Sequence, residues 1–219
     1  MSQLYKVFCV TVFLAGIGVF TTAFLRQDKN PTDVEPAQPF VVTYTLVQLD
    51  STGTVTRSQW CIRYVKANGE WQQITHKDPA SKAKADTSIM AGLEDGVYAV
   101  PGGTTERKFL SPAADEQMLT RYRTHQFLKN HKEFVRMDKV AGLDVYVLRT
   151  EVNNPASTLE WIEECYSPKA AYTPLRTTQH YRDGSESRVE AIKVEFREVP
   201  DNLNDDLKAM PVTKSLEHH

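Results

Sequence analysis

One kind of turn signal punctuates this chain and limits what it can fold into. Asn68-Gly69 separates TVTRSQWCIRYVKA from EWQQITHK, and Asp183-Gly184 separates YTPLRTTQHY from SESRVEAIKVEFREV. Asn-Gly or Asp-Gly between two such runs is the strongest short-range hairpin signal, because the matching tight turns need residues that accept positive φ. Asp50-Ser51-Thr52-Gly53 gives similar turn chemistry after FVVTYTLVQL. Within the runs the pattern has period two: Trp60, Ile62 and Tyr64 alternate with Cys61, Arg63 and Val65. From residue 40 onward this reads as nine or ten strands, mostly sequential and antiparallel. The predicted fold is mainly β (α+β), a curved antiparallel sheet or incomplete β-barrel. The last strand changes phase between Val189-Ala191 and Ile192-Val194-Phe196, which predicts a bulge.

One stretch breaks the pattern. Ser111-Pro112 opens AADEQMLTRYRTHQFLKNH, where Met118, Leu119, Tyr122 and Phe127 fall near helical spacing. Asp115 and Glu116 come early and Lys129 and His131 late, as the helix dipole favours. One bent helix or two short ones are expected, covering part of the concave face. KDPASKAKAD reads as a loop.

The ends carry a different message. Val7–Leu25 is 19 residues without a charge. As a helix at about 1.5 Å per residue it nearly spans a bilayer core. Residues 1–25 are therefore either a cleavable signal peptide or an N-terminal membrane anchor, and Thr21-Thr22-Ala23 is a weak cleavage site. Both readings send the body across a membrane, to an extracytoplasmic, periplasmic location; the anchor reading ties it to the inner membrane. Residues 26–39 carry three prolines and read as a linker. Residues 40–199 form the domain. Residues 200–219 read as a flexible tail, with at most one helical turn, ending in a tag remnant at Leu216-Glu217-His218-His219. A net charge of −2 speaks against a nucleic-acid partner.

The C-terminal half carries an ordered series of short motifs: Val140-Ala141-Gly142, Val145–Leu148, Leu159–Ile162, Pro174-Leu175-Arg176 and Asp183-Gly184. Over residues 134–199 this resembles the LolA, LolB and RseB superfamily of periplasmic lipoprotein carriers and lipoprotein-binding half-barrels. The resemblance implies an incomplete antiparallel barrel wrapped around helices, with an apolar cavity for acyl chains.

No catalytic constellation stands out. His76, His125, His131 and His180 lack metal-ligand spacing, so no metal and no cofactor is expected. Gly184-Ser185-Glu186-Ser187 is not a nucleophile elbow. Glu163 and Glu164 are consecutive on a strand and point to opposite faces. Cys61 and Cys165 are open to two readings, a disulfide or two separate buried thiols. The expected cavity lining is Trp60, Ile62, Tyr64, Val145, Val147, Leu159 and Trp161, an assignment that a one-residue slip reverses. The expectation is a non-catalytic bacterial envelope protein that binds an acyl chain or a lipidated protein. The alternatives are a membrane-anchored sensor or regulatory domain acting through a protein partner, and an uncharacterised hydrolase.

Overall fold

β1 (Phe40–Leu49) lies at the centre of a single sheet. The computed structural model describes residues 38–76, 86–112, 133–171 and 173–213. The other strands are β2 (Val55–Val65), β3 (Trp71–His76), β4 (Thr87–Leu93), β5 (Gly96–Val100), β6 (Arg107–Pro112), β7 (Phe134–Val140), β8 (Leu143–Glu151), β9 (Leu159–Tyr166), β10 (Pro174–Tyr181), β11 (Glu186–Phe196) and β12 (Val212–Thr213). Twelve strands run in the order β12-β6-β5-β4-β3-β2-β1-β11-β10-β9-β8-β7. All pairs are antiparallel except β12 on β6. The sheet is open and curved, with β12 and β7 at its edges. β7 nevertheless approaches β11 across three intervening strands, so the C-terminal half curls on itself.

The turn chemistry holds. Gly69 and Gly184 take φ of 89° and 83°, and both close hairpins between neighbouring strands. The expected bulge is present: Thr43 pairs with Lys193 but Tyr44 pairs with Ala191, leaving Ile192 over. That side chain is 59% exposed.

Ten of the strands coincide with predicted runs, and β4 and β12 do not. β4, TSIMAGL, reads weakly because it carries Ala91 and Gly92. Gly92 is there for a close approach: a Cβ would run into the Trp71 indole of β3. Ser111 and Pro112 end β6, opposite Val97 and Gly96. The helical stretch expected after them lies outside the described residues, as does the apolar segment 7–25. Among the described residues no helix is long and apolar enough to cross a membrane.

Residues 200–213 also differ from the loose tail that their polarity predicts. They form a 3-10 turn (Asp201–Asn204), a short helix (Asp205–Ala209) and β12. Leu207 is 3% exposed and packs with Ala91, Leu93, Tyr98 and Val100, flanked by Met210. Composition hides this because one buried leucine and a few polar contacts carry it. Lys208 Nζ lies 2.7 Å from Glu70, Lys66 Nζ donates to Asp201 O and Arg107 Nε donates to Met210 O.

Candidate ligand-binding face

Ladder register decides which side chains share a face. One row across the sheet reads Gln59, Leu46, Val189, Thr177, Glu164, Leu148 and Phe134. Neighbouring positions of the same alternation on β1 are Phe40, Val42 and Tyr44, which anchor the main buried cluster with Cys61, Val65, Leu175 and Ala191. At the other end of the row, Tyr146, Leu148 and Tyr166 form a second buried cluster, with Phe134 against it. Leu46 and Val189, directly opposite each other in the middle, are only partly buried. The row thus mixes apolar side chains with Gln59, Thr177 and Glu164, and its central apolar pair is half-open.

Polar groups interrupt it at defined points. Tyr44 Oη donates to Pro174 O at 3.0 Å, and burial pushes its phenol up to about 12. Arg63 lies over the Trp71 ring at 4.6 Å and donates twice to Gln73 Oε1. Glu164 is the unexpected member. Its Oε2 accepts from Tyr166 Oη at 2.7 Å. Burial raises its carboxyl to about 7, the Tyr166 bond opposes this and the like charge of Glu133 adds to it. Strand alternation was the available signal: Glu164 falls between Ile162 and Tyr166 on the apolar side of β9.

The seven expected lining residues are not brought together on this face. Trp60, Ile62 and Tyr64 sit opposite Thr45, Thr43 and Val41, on the side away from Cys61 and Val65. Cys61 and Val65 are the alternates of β2 that join the main buried cluster. Trp60 stacks on His76 at 4.4 Å, and both are partly exposed. Val145 and Val147 are wholly buried in the main cluster. They alternate with Tyr146 and Leu148, so β8 is buried on both sides. Trp161 stacks on His180 at 4.8 Å, and the Arg149 guanidinium lies over the Trp161 ring at 4.3 Å. Leu159 lies beyond a register shift, opposite Tyr181.

Val147 belongs to a second row: Trp60, Thr45, Glu190, Arg176, Cys165, Val147 and Arg136. Its charged members pair. Arg136 binds Glu163 at 3.0 Å, and Arg176 reaches Asp138 at 2.8 Å and Glu190 at 3.7 Å. Glu163 and Glu164 therefore do face opposite ways and do not make an acid–base pair.

Cys61 and Cys165 are free thiols. They sit on β2 and β9 with β1, β11 and β10 between them in the sheet, and both belong to the main buried cluster. Burial pushes the two thiols up to about 11 and about 12. Among the described residues no group of three or more potential ligands is placed to hold a metal. Two open clefts at the surface have volumes of about 330 and 390 Å³. One is lined by Leu93, Glu94, Asp95, Arg107 and Lys208, the other by residues between Pro101 and Lys108 with Thr213. Neither is an enclosed apolar hollow, and neither touches the seven residues.

No protein-family model matches the chain, and no curated protein does. Solved structures do. An uncharacterized conserved protein from Thermus thermophilus is 11% identical with a TM-score of 0.49, over 82% of this chain and 91% of that one. A LolA superfamily protein from Nitrosomonas europaea is 10% identical with a TM-score of 0.38, over 78% and 91%. MucB is 13% identical with a TM-score of 0.40, over 77% of this chain and 56% of its own. In structure, as in its C-terminal motifs, the chain resembles LolA superfamily proteins and MucB.

Proposed function

We propose that this is a non-catalytic extracytoplasmic protein, held at a membrane by residues 7–25, that takes up an acyl chain or a lipidated partner on the Leu46–Val189 face. One observation carries the reading. Leu46 and Val189, directly opposite each other on β1 and β11, pack against the main buried cluster and are left half-open. Hydrocarbon laid there is worth about 0.8 kcal/mol per buried CH₂, so about ten methylenes supply some 8 kcal/mol, a micromolar affinity. Cys61 and Cys165 are buried, and burial pushes their thiols up to about 11 and about 12, away from the nucleophilic thiolate.

The test is the lipid content of the full chain purified from membranes, by extraction and mass spectrometry. An acyl lipid is expected to co-purify with the parent chain and to be lost from a Val189→Asp variant that keeps its circular dichroism. Absence of lipid from the parent, together with no binding of a fluorescent fatty acid, would overturn the reading. A lipid-free chain that instead captured a membrane protein would favour the regulatory alternative.

A further inference from the structure

Residues 200–213 form a strap across one face of β3 to β6, and ladder register defines that face. Tyr64, Gln72, Ala91, Tyr98 and Phe109 make one row across it. Tyr64 pairs with Val41, which alternates with Phe40 and Val42, so this is the reverse of the face that carries Leu46 and Val189. The adjacent row reads Ile62, Ile74, Ile89 and Val100. Leu207 packs with Val100 at one end of it, and Ile89 joins the same cluster. Ile62 and Ile74, further along, are half-buried. The apolar surface is therefore longer than the segment that lies on it.

The strap is seated as a bound peptide would be. Its last residues extend the sheet on the side of β6 that β5 leaves free, Val212 beside Arg107 and Thr213 beside Lys108. Arg107 N donates to Pro211 O at 2.9 Å. A strand added to a sheet edge, with a side-chain anchor for specificity, is a recurring mode of peptide recognition. Leu207 is the apolar anchor. Lys208 Nζ lies 2.7 Å from Glu70 Oε1, and Lys66 Nζ holds Glu70 Oε2 at 3.1 Å while donating to Asp201 O at 2.8 Å. Gln72 Nε2 donates to Leu203 O at 3.3 Å.

One position spoils this fit. Asn204 is wholly buried, and neither its amide nitrogen nor its amide oxygen has a hydrogen-bond partner among the described residues. It stands at the N-cap of the short helix Asp205–Ala209, where an asparagine side chain ordinarily accepts from a backbone N–H, yet it makes no cap bond. Burying an unpartnered amide costs its hydration, which is regained when the strap leaves the sheet. An apolar side chain of similar volume at that position would carry no such cost.

We propose that this face of β3 to β6 is a docking site for a partner peptide, and that residues 200–213 are its self-ligand, held below its best affinity by Asn204. The partner segment that fits is defined by the strap itself. It has one helical turn with apolar side chains in the places of Asn204 and Leu207, and a lysine or arginine after the second to meet Glu70. An extended stretch follows, which pairs with β6. Such a segment displaces the strap, and the departing Asn204 returns to water. Ile62 and Ile74 give it further apolar surface that the strap leaves half-open. The site lies on the reverse of the Leu46–Val189 face and stands or falls apart from the lipid reading.

The experiment uses the full chain and fluorescent synthetic peptides of residues 200–213, with binding read by anisotropy. The peptide carrying Asn204→Leu is expected to bind at least about tenfold tighter than the peptide of native sequence. A peptide carrying both Asn204→Leu and Leu207→Asp should not bind. In the chain, Lys208→Glu sets a like charge beside Glu70, touches no apolar contact, and should raise the affinity for the Asn204→Leu peptide several-fold. Asn204→Leu in the chain should strengthen its own strap and lower that affinity by about tenfold. Hydrogen exchange shows the displacement directly, because the amides of residues 205–213 should lose protection as the peptide binds. The proposal is overturned if neither peptide binds a Lys208→Glu chain whose circular dichroism matches the parent. It is equally overturned if the two peptides bind alike, if the Asn204→Leu chain binds as tightly as the parent, or if the peptide binds while the strap keeps its protection.

Discussion

The two halves of the sheet cover their apolar side chains by different means. In the N-terminal half, Ala91, Leu93, Tyr98 and Val100 are covered by residues from the far end of the chain, with Leu207 at the centre. Among the described residues no such strap lies over the C-terminal half. There β7 swings back toward β11, and Arg136, Glu163, Arg176, Asp138 and Glu190 tie four strands together beside the buried Val147 and Cys165. The first cover is apolar and distant in sequence. The second is ionic and made by the strands themselves. The two should therefore fail separately.

The largest effect is expected at Leu207. Leu207→Ala removes the buried apolar anchor of the strap and should cost about 2–4 kcal/mol in urea unfolding. Hydrogen exchange should localise it: the amides of β5 and β6 lose protection, while β8 and β9 keep theirs. Loss of protection throughout the sheet would show the strap holding the whole molecule. Arg176→Met comes next. It leaves Asp138, Glu163 and Glu190 short of a partner, and with the site partly open to water it should cost about 2 kcal/mol. Exchange should now rise in β7 and β10 and not in β5. A paired Asp138→Leu change should recover part of the loss.

Glu164 sharpens the contrast within the C-terminal half. Its neighbour Asp138, across the sheet, is held below the usual carboxylate range by the Arg176 hydrogen bond, and contributes stability that is lost on acidification. Glu164 has the opposite sign. Its folded value, about 7, lies above its unfolded one. The folded state is unpenalised below the unfolded value and loses stability as pH rises through 7, by about 1–2 kcal/mol once partial solvent access is allowed for. Glu164→Gln should abolish that slope and be the more stable chain at pH 8. Unfolding midpoints from pH 4 to 8 report it directly, and a variant that still lost stability with rising pH would place the titrating group elsewhere.

Much of the half-barrel was written locally. Hairpins at Asn68-Gly69 and Asp183-Gly184, ten strands and the Ile192 bulge all follow from turn residues and alternation. What alternation cannot give is phase. The large apolar Trp60, Ile62 and Tyr64 lie on the other face of β2 from the buried Cys61 and Val65, so apolar bulk does not tell which face of this strand joins the main cluster. Arg63 reaches the apolar side because it lies on Trp71 and binds Gln73, two partners remote from it until β3 is paired. The strap was illegible for a similar reason. Its polar residues look like tail until Lys208 meets Glu70, some strands away. Glu70 is buried, yet the hydrogen bonds from Lys208 and Lys66 outweigh that and keep its carboxyl below the usual range.

The smallest expected effect is a rate and not a stability. Cys61 and Cys165 are both in the main cluster, and burial is the first cause that holds each thiol protonated. In a Cys9→Ser chain neither should react with an aromatic disulfide at pH 8, and reduction should not change the intact mass. Leu207→Ala should leave both silent, because the strap covers a different cluster. Arg176 is the register partner of Cys165, so Arg176→Met opens that thiol's neighbourhood and should speed its reaction while Cys61 stays slow. The two substitutions thus give two distinct patterns on the same pair of probes. If the strap variant exposed Cys165 as readily as the arginine variant does, the halves would be one cooperative unit, and their separate covers would be an accident of geometry.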